Sequence, residues 1–161
     1  YGSEAIELLL QVMENQREDL IFVFSGGKDK IDNFFNSNPG ISSRIGNHVD
    51  FIDYNTNELV DITKFLLNNE VRYKFNEKTV EILRFYIDQL QDFPAFSNVR
   101  TIKIFINQLL SYQSIRLEQE LTNNGSLTYQ DLTYIKPEDF QYFTEGDFIN
   151  IIGSENIKLY K

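Results

Sequence analysis

Apolar residues recur at helical spacing in several stretches of this chain, and run together or alternate in two others. Ile6, Leu9, Leu10 and Met13, widened by Leu8 and Val12, predict an amphipathic helix that opens behind Ser3 as N-cap and ends near Gln16. Leu20-Ile-Phe-Val-Phe24 is an uninterrupted apolar run closed by Gly26-Gly27. Such a run predicts a strand buried on both faces, as in a parallel sheet. Asp29 to Phe35 reads as a short helix and Asn38-Pro39-Gly40 as a turn. The alternation in His48-Val-Asp-Phe-Ile52 predicts a second strand.

After Asp53 the pattern becomes helical throughout. Thr56 is the expected cap of a helix reaching about Asn69, with Leu59, Ile62, Phe65 and Leu66 on one face. Asn76 caps another, with Val80, Leu83 and Ile87 as its spine, and a third begins near Asn98 carrying Ile102, Ile106, Leu109, Leu110 and Leu117. Three helices joined by short polar links form a small bundle, which Asn123-Asn-Gly125 closes. Lys136-Pro137-Glu-Asp-Phe140 starts a short helix with Pro at its first position. Phe148–Ile152 and Ile157–Tyr160 flank Gly153-Ser154 and are expected to pair as a terminal hairpin. The fold class is α+β and mostly helical. Its expected divisions are an α/β part over 1–54, a helical bundle over 55–121 and a C-terminal extension over 122–161.

Composition narrows the chemistry. Of 161 residues, 15 are Lys or Arg and 24 Asp or Glu, a formal net charge of -9 that argues against broad nucleic-acid binding. With no cysteine, disulfides and thiolate sites are excluded, and one histidine excludes any site that needs two. No apolar run has the length of a membrane span. The chain is expected to be soluble. Tyr1 at the start, with Met13 the single methionine, points to a piece of something larger.

Candidate motifs are few. Gly26-Gly27-Lys28 lacks the first glycine of G-x-x-x-x-G-K-[ST] and has Asp29 where the hydroxyl residue belongs, so it reads as a strand-exit turn. His48, Asp50 and Asp53 are a weak ligand set and read as a solvated strand edge, so no metal site is expected. Arg44 lies between a turn and a strand, and Arg100 opens the third bundle helix. Guanidinium groups at element ends are free to reach a phosphate bidentately, although by residue chemistry alone each reads as a surface ion pair.

The segment from Tyr1 to Arg17 resembles the stretch that follows the Walker B strand in CbbX-type AAA+ ATPases, the red-type Rubisco activase family. The resemblance continues through Gly26 to Asp29, then Ser37-Asn-Pro-Gly-Ile-Ser-Ser-Arg-Ile45, His48-Val-Asp-Phe51, Asp53-Tyr54, Phe96-Ser-Asn-Val-Arg100 and Arg116-Leu117. It covers roughly residues 1 to 118 and touches Asp131 to Phe140 weakly.

That resemblance implies roles. Arg44 matches the arginine finger, which in an AAA+ ring reaches the γ-phosphate bound by the neighbouring subunit. Arg100 matches the sensor-2 arginine, which touches nucleotide in its own subunit, and the helices from Thr56 to about Leu121 would be the lid. Leu20–Phe24 would be the sensor-1 strand. The family usually has Ala-Gly-Tyr where this chain has Ser25-Gly26-Gly27, which leaves Ser25 as the hydroxyl at that tip. No Walker A lysine motif and no Walker B Asp-Glu pair occur in these residues, so the chain alone is expected neither to bind nor to hydrolyse ATP. ATP and Mg2+ would belong to the intact parent. The α/β part is expected to be incomplete, with another chain or the tail hairpin covering its exposed strand. The implied parent is a ring, expected to be a hexamer, that remodels a protein, Rubisco by resemblance, in a plastid. The alternative is a non-catalytic interaction module that binds an intact AAA+ partner.

Overall fold

The chain divides into two units between Ile52 and Asp53; the computed structural model describes residues 2–70 and 72–153. The first unit holds three helices, α1 (Gly2–Asn15), α2 (Lys28–Ser37) and α3 (Pro39–Ser42). Asn38 does not open the expected turn. Pro39 instead takes the first position of α3, where its missing N–H costs nothing. Met13 of α1 and Ile41 of α3 are buried. A Cβ on Gly40 would sit 3.4 Å from the Leu10 methyls, so α3 lies close against α1. Phe24, Phe34, Phe35 and His48 form a ring cluster, with His48 edge-on to Phe35 at 5.6 Å.

Neither expected strand of this unit forms. Leu20–Phe24 and His48–Ile52 carry no ladder partner among the described residues. Ile21 is 93% and Val23 84% exposed, whereas Phe22 and Phe24 are half-buried, so the stretch keeps a strand's alternation without a sheet. A strand buried on both faces needs neighbours for its N–H and C=O groups and cover for both rows of side chains.

In the second unit, α4 (Thr56–Glu70), α5 (Glu77–Gln91) and α6 (Val99–Asn124) form the bundle. Asn55, not Thr56, caps α4: its Oδ1 accepts from the Glu58 N–H while Glu58 accepts from the Asn55 N–H. The buried face of α4 is Leu59, Val60, Thr63 and Leu67, and Phe65 points to solvent. Asn76 caps α5 as expected, accepting from the Thr79 N–H at 2.7 Å, and α5 buries Leu83, Ile87 and Leu90. Gly125 (φ 73°) ends α6, in a conformation that costs a side chain more than it costs glycine.

The segment after Gly125 packs onto these helices. A two-residue parallel ladder joins β1 (Lys74–Phe75) to β2 (Tyr134–Ile135). It follows the short helix α7 (Tyr129–Thr133) and leads into a 3-10 turn over Pro137–Phe140. The last described element is α8 (Glu145–Ile152), a helix where a hairpin arm was expected. Asp147 accepts from the Thr144 N–H at 2.7 Å in a capping box, and Ile151 and Ile152 then fall on the buried face. The second arm, Ile157–Tyr160, lies outside the described residues. Phe140, Ile151 and Ile152 share one core with Leu83, Ile87, Ile102 and Phe105. Tyr86 is ringed by Phe140, Phe143 and Phe148 with centroids 5.0–5.7 Å away, and its hydroxyl donates to the Phe140 carbonyl at 2.9 Å. No described helix is long and apolar enough to cross a membrane.

The Thr128–Asp131 capping box carries a pH signature. The Thr128 hydroxyl and backbone N–H, helped by the Lys136 ammonium, hold the Asp131 carboxyl down to about 2, below its ordinary 3.8. A depressed carboxylate stabilises the fold above its unfolded value and loses that contribution as pH falls through the folded one. Asp131→Asn is therefore expected to flatten the loss of stability between pH 3.8 and about 2, read by urea unfolding at stepped pH.

Candidate functional site

Arg44 stands two residues beyond α3, at the edge of an open hollow of about 490 Å3 that Glu14, Arg17, Phe22 and Asn47 also line. Its side chain is 38% exposed. The Nη1 group donates to the Gly40 carbonyl at 2.9 Å, a local bond set by the turn of α3. Nε and Nη2 both donate to Glu14 Oε2, at 3.1 and 2.9 Å, from the last turn of α1. The surface ion pair is present, and it leaves one N–H on each terminal nitrogen uncommitted, since a guanidinium has five donors. Glu14 has no local signal in the sequence that would link it to an arginine thirty positions on.

Arg100 lies in the first turn of α6, exposed, with no ion pair among the described residues. The corner that carries it is tightly tied. Asn98 adopts φ 48°, an uncommon conformation for a residue with a side chain, and both ends of its amide are engaged. Its Oδ1 accepts from the Tyr54 N–H at 3.1 Å and its Nδ2 donates to Asp53 at 2.6 Å. Gln91 donates to the Tyr54 carbonyl at 3.0 Å, the Thr56 hydroxyl bonds Asp88 at 2.5 Å, and Thr101 Oγ1 accepts from the Ser97 N–H at 2.9 Å. The start of α4, the end of α5 and the start of α6 are thereby joined in one polar knot. The first turn of α6 contains no acid, while the Asp53 carboxylate lies against its N-cap, Asn98.

Ser25 is exposed at the end of the extended stretch, next to Gly26, where a Cβ would meet Ile31 at 3.2 Å. Arg44 and Ser25 belong to the first unit and Arg100 to the second. The weak ligand set disperses: His48 packs on Phe35, Asp50 pairs with Lys28 at 3.1 Å and Asp53 bonds Asn98. Among the described residues no group of three His, Cys, Asp or Glu could hold a metal. What Arg44, Arg100 and Ser25 offer instead is N–H and O–H donors, the chemistry that phosphate oxygens accept.

The arginine that the fold engages most deeply is a third one. Arg116, on the same helix as Arg100, is buried and donates from Nε to Asp139 at 2.5 Å, from Nη1 to Glu120 at 3.0 Å and from Nη2 to the Tyr134 carbonyl at 3.0 Å. Burial works against its charge, but the Asp139 and Glu120 carboxylates outweigh that and raise its pKa above the ordinary guanidinium value. Lys136 completes the cluster by donating to Glu120 at 2.9 Å.

Residues 55–147 match the AAA lid domain family. The chain is 46% identical over 139 residues to a protein CfxQ homolog of Galdieria sulphuraria, covering 86% of this chain and 45% of that one. It is 41% identical over 143 residues to a ribulose bisphosphate carboxylase/oxygenase activase, chloroplastic, of Cyanidioschyzon merolae, covering 87% and 46%. A protein cbbX homolog, chloroplastic, of Guillardia theta is 38% identical over 143 residues, covering 87% and 38%. The chain spans about half the length of the curated relatives it matches first.

Proposed function

We infer, from the premise that this chain belongs to the AAA lid domain family, that it is the C-terminal part of an AAA+ ATPase that remodels a protein substrate. Helices α4 to α6 serve as the lid. The observation that carries this reading is the lid match over 55–147 with an exposed arginine in the first turn of α6 that has no ion pair among the described residues, beside the knot that ties the lid's helices. Arg100 acts as sensor 2, donating to phosphate oxygens of nucleotide held in its own subunit. Arg44 acts as the finger, donating to phosphate held by the neighbouring subunit. Ser25 supplies a hydroxyl at the sensor-1 tip. ATP and Mg2+ are held by residues of the parent outside this chain, which supply the metal ligands and the carboxylate that activates water.

The extended stretches 20–24 and 48–52 support a place for the first unit in a larger α/β subdomain, with strands of the parent beside them. The parent assembles as a ring, a hexamer in this reading, because a finger works only across a subunit boundary. The names of the relatives support Rubisco as substrate and a plastid as compartment. The acidic balance of -9 disfavours nucleic acid as a partner.

The test is nucleotide binding and hydrolysis by the longest natural form, with Arg100→Ala beside it. Losing a charge-assisted pair of hydrogen bonds is expected to weaken nucleotide binding by about tenfold or more, read by titration with a fluorescent nucleotide. The melting temperature should not move, since Arg100 is exposed. Unchanged affinity in Arg100→Ala overturns the sensor assignment. A longest natural form that neither binds nor hydrolyses ATP overturns the motor, and capture of an intact AAA+ ATPase by it then favours the interaction module.

A further inference from the structure

The finger's own geometry is held by a carboxylate, and what that carboxylate leaves free matters more than what it binds. Arg44 reaches into the hollow on a long, flexible side chain, and a finger that samples many rotamers meets its phosphate in only a few of them. Here two anchors remove that freedom. Gly40 O takes one Nη1 hydrogen, and Glu14 Oε2 takes the Nε hydrogen and one Nη2 hydrogen. Three of five donors are then spent, and the remaining two sit one on each terminal nitrogen. Two donors on adjacent nitrogens are the pair that two oxygens of one phosphoryl group accept together.

We propose that Glu14 is a positioning residue for Arg44, holding the guanidinium with its terminal pair of N–H groups presented to a phosphoryl group outside this subunit. The inference rests on the reading of Arg44 as the finger. Glu14 touches no reacting atom; its whole effect passes through Arg44. Its side chain is 60% exposed, so its charge is screened by water and adds little repulsion toward the phosphate. Arg17 lines the same hollow and offsets that charge further.

The experiment is steady-state ATP hydrolysis by the longest natural form carrying Glu14→Ala, Glu14→Gln, Arg44→Ala and the double variant Glu14→Ala/Arg44→Ala. Glu14→Ala is expected to lower kcat by about tenfold to a hundredfold with KM for ATP unchanged, because the finger contributes as charge develops in the transition state. Glu14→Gln keeps an oxygen that accepts from Nε and Nη2 and should recover most of the rate. In the Arg44→Ala background, Glu14→Ala should change nothing further, a non-additivity that a merely structural glutamate would not produce. Thermal melts of the variants exclude unfolding as the cause. An unchanged or raised kcat in Glu14→Ala, in a protein whose Arg44→Ala variant has lost its rate, overturns this inference alone. An Arg44→Ala variant that keeps its rate overturns the finger and the inference together.

Discussion

Arg44→Ala in the longest natural form should lower ATP turnover by about a thousandfold while leaving nucleotide affinity within about twofold. The magnitude follows from where the group acts. A guanidinium presented to a transferring phosphoryl group meets charge that grows between ground and transition state, so its removal is felt in kcat rather than in binding. Arg44→Lys should recover only a small part of the rate. An ammonium is a compact point charge, and it cannot hold Glu14 Oε2 while offering two parallel donors on adjacent nitrogens. Because the proposed finger would serve the next subunit, mixed rings give the sharpest check. Subunits carrying Arg44→Ala, assembled with subunits that keep Arg44 but lack the parent's P-loop lysine, should regain hydrolysis at the boundaries where a good finger faces a good nucleotide site. Full activity in Arg44→Ala, or no complementation in mixed rings that do assemble, would remove the finger from this chain.

The second large effect concerns stability. Arg116→Ala is expected to destabilise the second unit by about 3–5 kcal/mol, because it leaves the fully buried Asp139 carboxylate without its cation. For a unit of this size that is a fall in melting midpoint of roughly 10–20 °C. Asp139→Ala should cost a similar amount, leaving the guanidinium buried and the Lys136 N–H without its acceptor at 2.8 Å. The double replacement Arg116→Met/Asp139→Leu removes both charges together and should lie much closer to the natural protein. Calorimetry of the four proteins decides the matter. Equal destabilisation in the single and double variants would mean that the pair contributes by shape alone.

Much of the helical architecture was legible in the residues. Asn76 announced a cap, Val80, Leu83 and Ile87 a spine, and Pro137 the first position of a short helix, because each of these is a local device. The errors were also local in kind. Helical spacing puts Phe65 on one face of α4 with Leu59, Ile62 and Leu66, but the helix turns by one position and buries Val60 and Thr63 instead. Thr63 can be buried because its hydroxyl donates to the Leu59 carbonyl at 2.7 Å, so no polar group is stranded. Phe148 to Ile152 reads as a hairpin arm, but the Thr144–Asp147 box with a core waiting on one side makes it a helix.

The candidate site divides in the same way. Arg44 and Arg100 could be singled out from their neighbours in the chain, Ser37 to Ile45 and Phe96 to Arg100. Glu14 and the double engagement of Asn98 could not, since their partners lie thirty and forty-four positions away. Arg116 lies between these cases. The spine Ile102, Phe105, Leu109 continues at helical spacing to Gln113 and Arg116, so the helical period places both positions on the inward face of α6.

Local pattern alone was enough to place the cap and spine of α5, the close of α6 at Gly125 and the arginines that stand at element ends. Those properties depend on groups within a turn or two of each other. Tertiary structure decided which polar side chains could be buried and which apolar stretches could become strands. Gln113 and Arg116 enter the core only because the carbonyls of Leu132 and Tyr134 and the carboxylate of Asp139 arrive from the segment beyond Gly125. Leu20–Phe24 has the composition of a central strand and stays unpaired, because a ladder needs a second backbone, and no described segment of this chain brings one.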